Sequence, residues 1–449
     1  MTWGLPALLL FFIIIVLYLI RPSWVLLLWL VTTPLIAPFM VLFSGISDFK
    51  DQQIYVWSIW GIYNRAYLLI ILLELFKKSK LPKKLKMILV PGMILSGYLL
   101  IHNVVTHPDI LGYFGQILGL IYTVPPMIVL KMNKKAWPSM KGIYITLVMV
   151  YVIELIWLPL NSMGIYAYPA KYQEMYTMPG ELLFASGSFT RSNMLADYVA
   201  ITYFFMMIDF FTRKSLSILK FSIISIMAVV LLLSAGSKLP ILVVVLGFMM
   251  CVLLFRKDKT GVVFISLLAF AGLFYFLSTN TKEINSSNEG VNRIVEGMSS
   301  FVQSQKNKDD DNSTFSISGE LIDRFFWDSP LIGNGYSYKG NDNAYPISKS
   351  GIDLNSLKSD ATFAYHLVEY GVLGTIIYIY FYFNIISYTG TILLYNRKKI
   401  VFAVFIFLLL FSATEGGLFN RSLYTYIFMF FFAFARSYRE QELTELRKV

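Results

Sequence analysis

LPALLLFFIIIVLYLI, residues 5–20, is an uncharged apolar run that sets the pattern of the chain. No charged region leads into it and no small-residue cleavage site follows, so it is expected to stay as a membrane span and not to be removed as a signal peptide. Similar runs of about 17 to 23 residues recur, each long enough to cross a hydrocarbon core of about 30 Å as a helix. The strand period of two that a barrel requires is absent. With 57% hydrophobic and only 14% charged residues, the chain is not an ordinary soluble globule. Its single cysteine, Cys251, excludes a disulfide framework and a thiolate metal cluster.

Spans are expected near 4–20, 23–44, 55–76, 87–106, 110–130, 142–160, 194–212, 221–236, 239–255, 262–278, 361–395, 400–415 and 422–435. The expected fold is therefore all-α: a polytopic membrane protein of about 12 to 13 transmembrane helices. No internal repeat and no Pro-rich or Gly/Ser-rich linker divides it, so residues 1–449 read as one membrane domain. Basic links at 77–86, 131–141, 213–220, 256–259 and 397–399, with the tail from 436, fall on alternate connections. One orientation satisfies them all, with these links cytoplasmic and residues 279–360 forming a long extracytoplasmic loop. That loop carries eight Lys or Arg against twelve Asp or Glu, a net of −4, so the rest of the chain holds +15 of the total +11. The basic balance is topological and suits anionic lipid headgroups. Scattered cations without a basic groove exclude a nucleic-acid partner.

The loop and its flanks concentrate the polar chemistry. Within 279–360, the segment ELIDRFFWDSPLIGNG, residues 320–335, carries Arg324 and a glycine turn at Gly333 and Gly335. Ile317, Leu321, Ile322, Phe325 and Phe326 share one side of a helix, the pattern of a helix lying on the membrane surface. Asp360, His366 and Glu369 open the next apolar run, and Arg191, Lys238 and Glu415 lie at other outer boundaries. Arg65 falls near the middle of its span, where burial costs about 2.5 to 3.5 kcal/mol, so it needs a cavity or a carboxylate such as Asp197. His102, His107 and His366 are too dispersed for a zinc pair on one helix turn. No phosphate-binding glycine loop, Gly-x-Ser-x-Gly elbow or Cys/His arrangement occurs, which argues against ATP-driven and covalent hydrolase chemistry.

Several segments together resemble the O-antigen polymerase and ligase superfamily, the Wzy and WaaL type of membrane glycosyltransferase. Residues 187–193, GSFTRSN, resemble its G-x-F-x-x-x-N start of a central span, and SAGSK, residues 234–238, resembles its Ser-Arg turn. Arg324 and Gly335, with ten residues between them, fit an Arg-x10-Gly pattern of Wzy outer loops, and residues 360–374, ending EYGVLG, resemble the helix that follows. Two departures stand out. Lys238 replaces the usual arginine, keeping charge but losing bidentate phosphate geometry. Asp360 stands where ligase-type members have histidine, which tilts the resemblance toward a polymerase.

The resemblance implies a GT-C-like membrane enzyme of the bacterial inner membrane that needs neither metal nor cofactor. It would move glycan from undecaprenyl diphosphate onto another lipid-linked repeat unit, with a chain-length regulator protein as a further partner. Arg191, Lys238, Arg324 and Arg65 would then meet the donor diphosphate. Asp360 or His366 would accept the acceptor's proton, and Glu369, three residues from His366 on one helix face, would orient it. The alternatives are a ligase and a transporter or flippase of the same lipid-linked material. A transporter would place ion-site residues near the midplane of repeated halves, and this chain gathers polar groups at the outer face.

Each residue also has a structural use. Glu320 and Arg324 can form a surface helix pair, Arg191 and Lys238 can reach headgroups, Asp360 can cap a helix, and His366 can be a packing residue.

Overall fold

A computed structural model of the chain describes residues 4–32, 49–78, 86–106, 127–162, 192–213, 217–235, 238–255, 319, 322–323, 326–334, 362–415 and 421–446. Among them the regular structure is helical, with no strand. In order, the helices are α1 (Gly4–Ile20), α2 (Ser23–Thr32), α3 (Phe49–Lys78), α4 (Lys86–Thr106), α5 (127–132), α6 (Met140–Ser162) and α7 (Ser192–Arg213). There follow α8 (Ile218–Ala235), α9 (Lys238–Phe255), α10 (Thr362–Gly390), α11 (Arg397–Glu415) and α12 (Arg421–Leu446). The all-α polytopic expectation holds. Four described segments, 134–160, 195–212, 218–235 and 366–390, are long and apolar enough to cross a membrane, and four shorter apolar helices accompany them. Helices are what a lipid solvent demands, because every backbone N–H and C=O must be paired within the chain. Accordingly α1 turns Leu8, Leu9, Phe12, Val16 and Leu19 outward while burying Ile14 and Tyr18. The expected spans at 110–130 and 262–278 lie wholly or largely outside the described residues.

The chain divides into two compact units. Unit 1 comprises residues 1–81, 125–299 and 430–449. Its axis is α7, in which every side chain from Leu195 to Asp209 is buried. Helices α8 and α9 pack on α7, α6 packs on α8, and α1 packs on α3. Phe205 of α7 stands at ring-centroid distances of 5.1, 5.6 and 5.4 Å from Phe430, Phe431 and Phe434 of α12. Acidic groups within this apolar frame are held by hydroxyls and amides. Tyr18 donates to Glu74 Oε1 at 2.8 Å, Asn133 Nδ2 donates to the same oxygen at 3.2 Å, and Tyr144 donates to Asp209 Oδ2. Such partnering is what retains a carboxyl group at membrane depth.

Unit 1 also gathers three of the basic links. Arg436 of α12 stacks its guanidinium 3.9 Å above the Trp137 ring, and Ser437 donates to the carbonyl of Pro138. Lys141, Lys220 and Glu440 then line one groove, so the 131–141 link, the 213–220 link and the tail meet at one end of the unit, as a single orientation requires.

Unit 2 comprises residues 82–124 and 300–429. Helix α10 is its centre, packing on α4, on α11 and on a single 3₁₀ turn, Phe326–Asp328. The run read as one span at 361–395 is broken at Gly371, whose φ and ψ of 65° and −174° are not helical. The arm beyond the break, 372–390, has about 28 Å of rise and alone suffices to span.

The orientation predicts an accessibility pattern. In a Cys251→Ala background, Lys134→Cys and Lys220→Cys are expected to resist a membrane-impermeant maleimide added to intact cells, while Leu331→Cys reacts. Labelling of the lysine-position cysteines from outside would reverse the orientation.

Candidate functional site

The break in α10 and the turn after residue 326 are one structure. Ser329 to Asn334 form a tight turn in which Gly333 N–H donates to Ser329 O at 2.7 Å and Gly333 adopts φ +82°. This turn lies across the break. Val372 N–H donates to Pro330 O at 2.9 Å, Leu373 N–H to Leu331 O at 3.0 Å, and Asn334 N–H to Val368 O at 2.9 Å. A helix interrupted at Gly371 leaves donors and acceptors of the broken turn without their usual partners, and buried backbone groups must be paired. The turn supplies those partners. The approach is possible only between glycines: a Cβ on Gly333 would overlap the Glu369 carbonyl and the Gly371 amide, and one on Gly371 would overlap the Leu331 carbonyl. The two sequence motifs, PLIGNG and EYGVLG, are thus joined through their backbones.

Helix α4 completes the clasp. The Tyr98 hydroxyl donates to Tyr370 O at 2.8 Å and lies 3.3 Å from Ile332 O, touching both sides. Beside it a cluster of rings is buried. His102 stacks on Tyr98 at 5.6 Å and stands 5.5 Å from Tyr370, and His366 stands 4.5 Å from both Tyr370 and Tyr378. A continuous helix would separate residues 366 and 378 by about 18 Å along its axis. The break therefore folds the first arm back and puts His366 against the second.

Glu369 sits at the crossing. Its carbonyl is the group against which Gly333 packs, and its side chain is 4% exposed with Oε1 lacking a hydrogen-bond partner among the described residues.

Of the seven residues to which the resemblance gives a role in the site, the structure brings His366 and Glu369 to this clasp. Arg324, Asp360 and Arg191 lie outside the described residues, as does Gly335. Lys238 opens α9, where its backbone alone is described. Arg65 lies on α3 in unit 1 and is exposed, and no ion pair joins it to Asp197, which is buried in α7. The surface helix expected over 317–330 is represented by residues 319 and 322–323 and by the 3₁₀ turn at 326–328, with Trp327 and Leu331 strongly exposed. Among the described residues no group of three or more His, Cys, Asp or Glu could hold a metal.

Sequence reasoning missed Tyr98, His102, Tyr370 and Tyr378. One signal was present: His102 and Asn103 are adjacent polar residues in an apolar run, both buried.

Residues 223–379 match the family model described as O-Antigen ligase. The matched segment runs from α8 to the middle of α10 and contains both halves of the Gly333–Gly371 crossing, and over that segment the chain is similar to the O-antigen polymerase/ligase superfamily. Members of that superfamily are membrane glycosyltransferase-like enzymes, polymerases or ligases, whose substrates are lipid-linked oligosaccharides. No curated protein shows significant similarity to the chain.

The clasp predicts a graded loss of stability. Gly371→Ala is expected to cost about 3 kcal/mol or more, combining a conformation reserved for glycine with the overlap on Leu331. Tyr98→Phe, which removes the hydrogen bond to the Tyr370 carbonyl, is expected to cost about 1 to 2 kcal/mol. Thermal unfolding of the purified variants in detergent checks both, and wild-type melting of Gly371→Ala would contradict the crossing.

Proposed function

We propose that the protein polymerises lipid-linked glycan repeats at the outer face of the bacterial cytoplasmic membrane. The observation that carries this reading is the family match over 223–379, whose own segment fastens a turn of the polar loop to the helix of His366 and Glu369. In the proposed step, a hydroxyl of the terminal sugar on one undecaprenyl-diphosphate-linked repeat attacks the anomeric carbon of a second. The new glycosidic bond forms as the bond to the diphosphate oxygen breaks, and undecaprenyl diphosphate leaves with the electron pair. The hydroxyl proton passes to Asp360 or His366, with Glu369 orienting the acceptor group. The donor diphosphate supplies the driving force, so no nucleotide is consumed.

Charge develops on the leaving diphosphate, and prepositioned cations stabilise that charge where water is excluded. Arg324, Arg191, Lys238 and Arg65 are the proposed contacts. Arg324 is foremost because it stands two residues before the 3₁₀ turn that enters the clasp. Its fork can take two diphosphate oxygens at once, which a lysine cannot do. Transfer of finished glycan to a different acceptor, the ligase reaction, is the second reading, favoured by the description of the matching family.

The test is conversion of synthetic undecaprenyl-diphosphate repeat units of the native structure by purified protein, read as a ladder on a gel. Wild type is expected to give longer lipid-linked products. Arg324→Ala is expected to lose roughly 100-fold or more in rate, and Arg324→Lys to recover part of it. Glu369→Gln, which keeps the shape and removes the carboxyl group, is expected to lose about 100-fold while melting like wild type. A wild type that does not elongate the native repeat would overturn the polymerase and turn attention to ligase acceptors.

A further inference from the structure

We propose that unit 1 binds one anionic phospholipid of the cytoplasmic leaflet in a groove formed by α6, α8 and α12. The groove measures about 810 Å³, within the size range of small-ligand sites. Its walls are apolar along α6 and α8, with Ile145, Met149, Ile223 and Met227 among them. Its polar end carries Lys141 and Lys220, each in the first turn of its helix, with Glu440 of α12 as the one carboxylate in the lining. Two cations against one anion leave that end net positive.

Three features fix the occupant as a lipid and its head as anionic. First, the apolar track does not stop at the groove. Val152 and Ile156 on α6, and Ile226 and Val230 on α8, continue it as exposed side chains toward the middle of the span. A bilayer chain fits such a track, and a soluble ligand does not. Second, both helices begin at the lysine end, with Ser139 Oγ accepting from Gly142 N–H at 3.0 Å and Ser217 Oγ from Lys220 N–H at 3.4 Å. Their positive dipole ends add to the lysine charges. Third, this is the end where basic links converge, and cations next to an anionic leaflet are worth roughly fivefold in binding each. None of these residues belongs to the site proposed for glycan transfer.

The experiment is native mass spectrometry of the full-length protein released from detergent with equal phosphatidylglycerol and phosphatidylcholine. Preferential retention of one phosphatidylglycerol is expected in the wild type. It should fall about 25-fold in Lys141→Ala/Lys220→Ala, from the two lysine contributions together. Met227→Trp, which fills the apolar wall and keeps both lysines, is expected to abolish retention. Excess glycerol 3-phosphate should not compete, which separates a lipid site from a free-phosphate site. Equal retention of the two lipids by wild type would overturn the proposal without reference to any variant. Unchanged preference in the double variant, or competition by glycerol 3-phosphate, would do so as well.

Discussion

Two backbone segments far apart in sequence approach at Gly333 and Gly371 more closely than any side chain would allow, and unit 2 is organised around that contact. A membrane helix cannot simply stop pairing its backbone, since each orphaned group in an apolar setting costs several kcal/mol, about the value of a lost hydrogen bond in hydrocarbon. Here the break in α10 is tolerated because carbonyls of Pro330 and Leu331 and the amide of Asn334 take up the pairing that the helix gives away. Tyr98 secures the arrangement from a third element. Broken helices at membrane depth are found where the backbone is buried in protein or lines a cavity, and this one follows that rule.

The break is also what makes a cluster out of single residues. His366 reaches Tyr378 because its arm folds back, and His102 shares the Tyr370 ring from the side of α4. Glu369 is buried where the turn crosses the helix. Hydrogen-bonded acids such as Glu74 and Asp209 serve packing in unit 1, where tyrosine hydroxyls hold them.

The helices were legible in the sequence because in lipid apolar length alone nearly dictates them. The span read at 221–236 is Ile218–Ala235, and that read at 239–255 is Lys238–Phe255. The motifs PLIGNG and EYGVLG were legible as separate pieces through family resemblance, and the match over 223–379 covers both. Their union was not legible. A glycine within an apolar run is compatible with an unbroken helix, and only the partner glycine in the loop reveals why Gly371 is not. The histidines looked dispersed for the same reason, since the proximity of His102 and His366 to one tyrosine is a property of tertiary folding. The cations Arg324 and Arg191 and the carboxylate Asp360 fall outside the described residues, so their part in the site rests on the resemblance.

The most direct measurement of the central contact is amide hydrogen exchange, by mass spectrometry, of the full-length protein in lipid nanodiscs. The amides of Val372 and Leu373, although they follow a helix break, should be protected like those of the α10 arm beyond them, and Asn334 should be protected with them. Exchange of these three amides at the rate of an open turn would contradict the clasp and leave the loop with no structural claim on the His366–Glu369 helix.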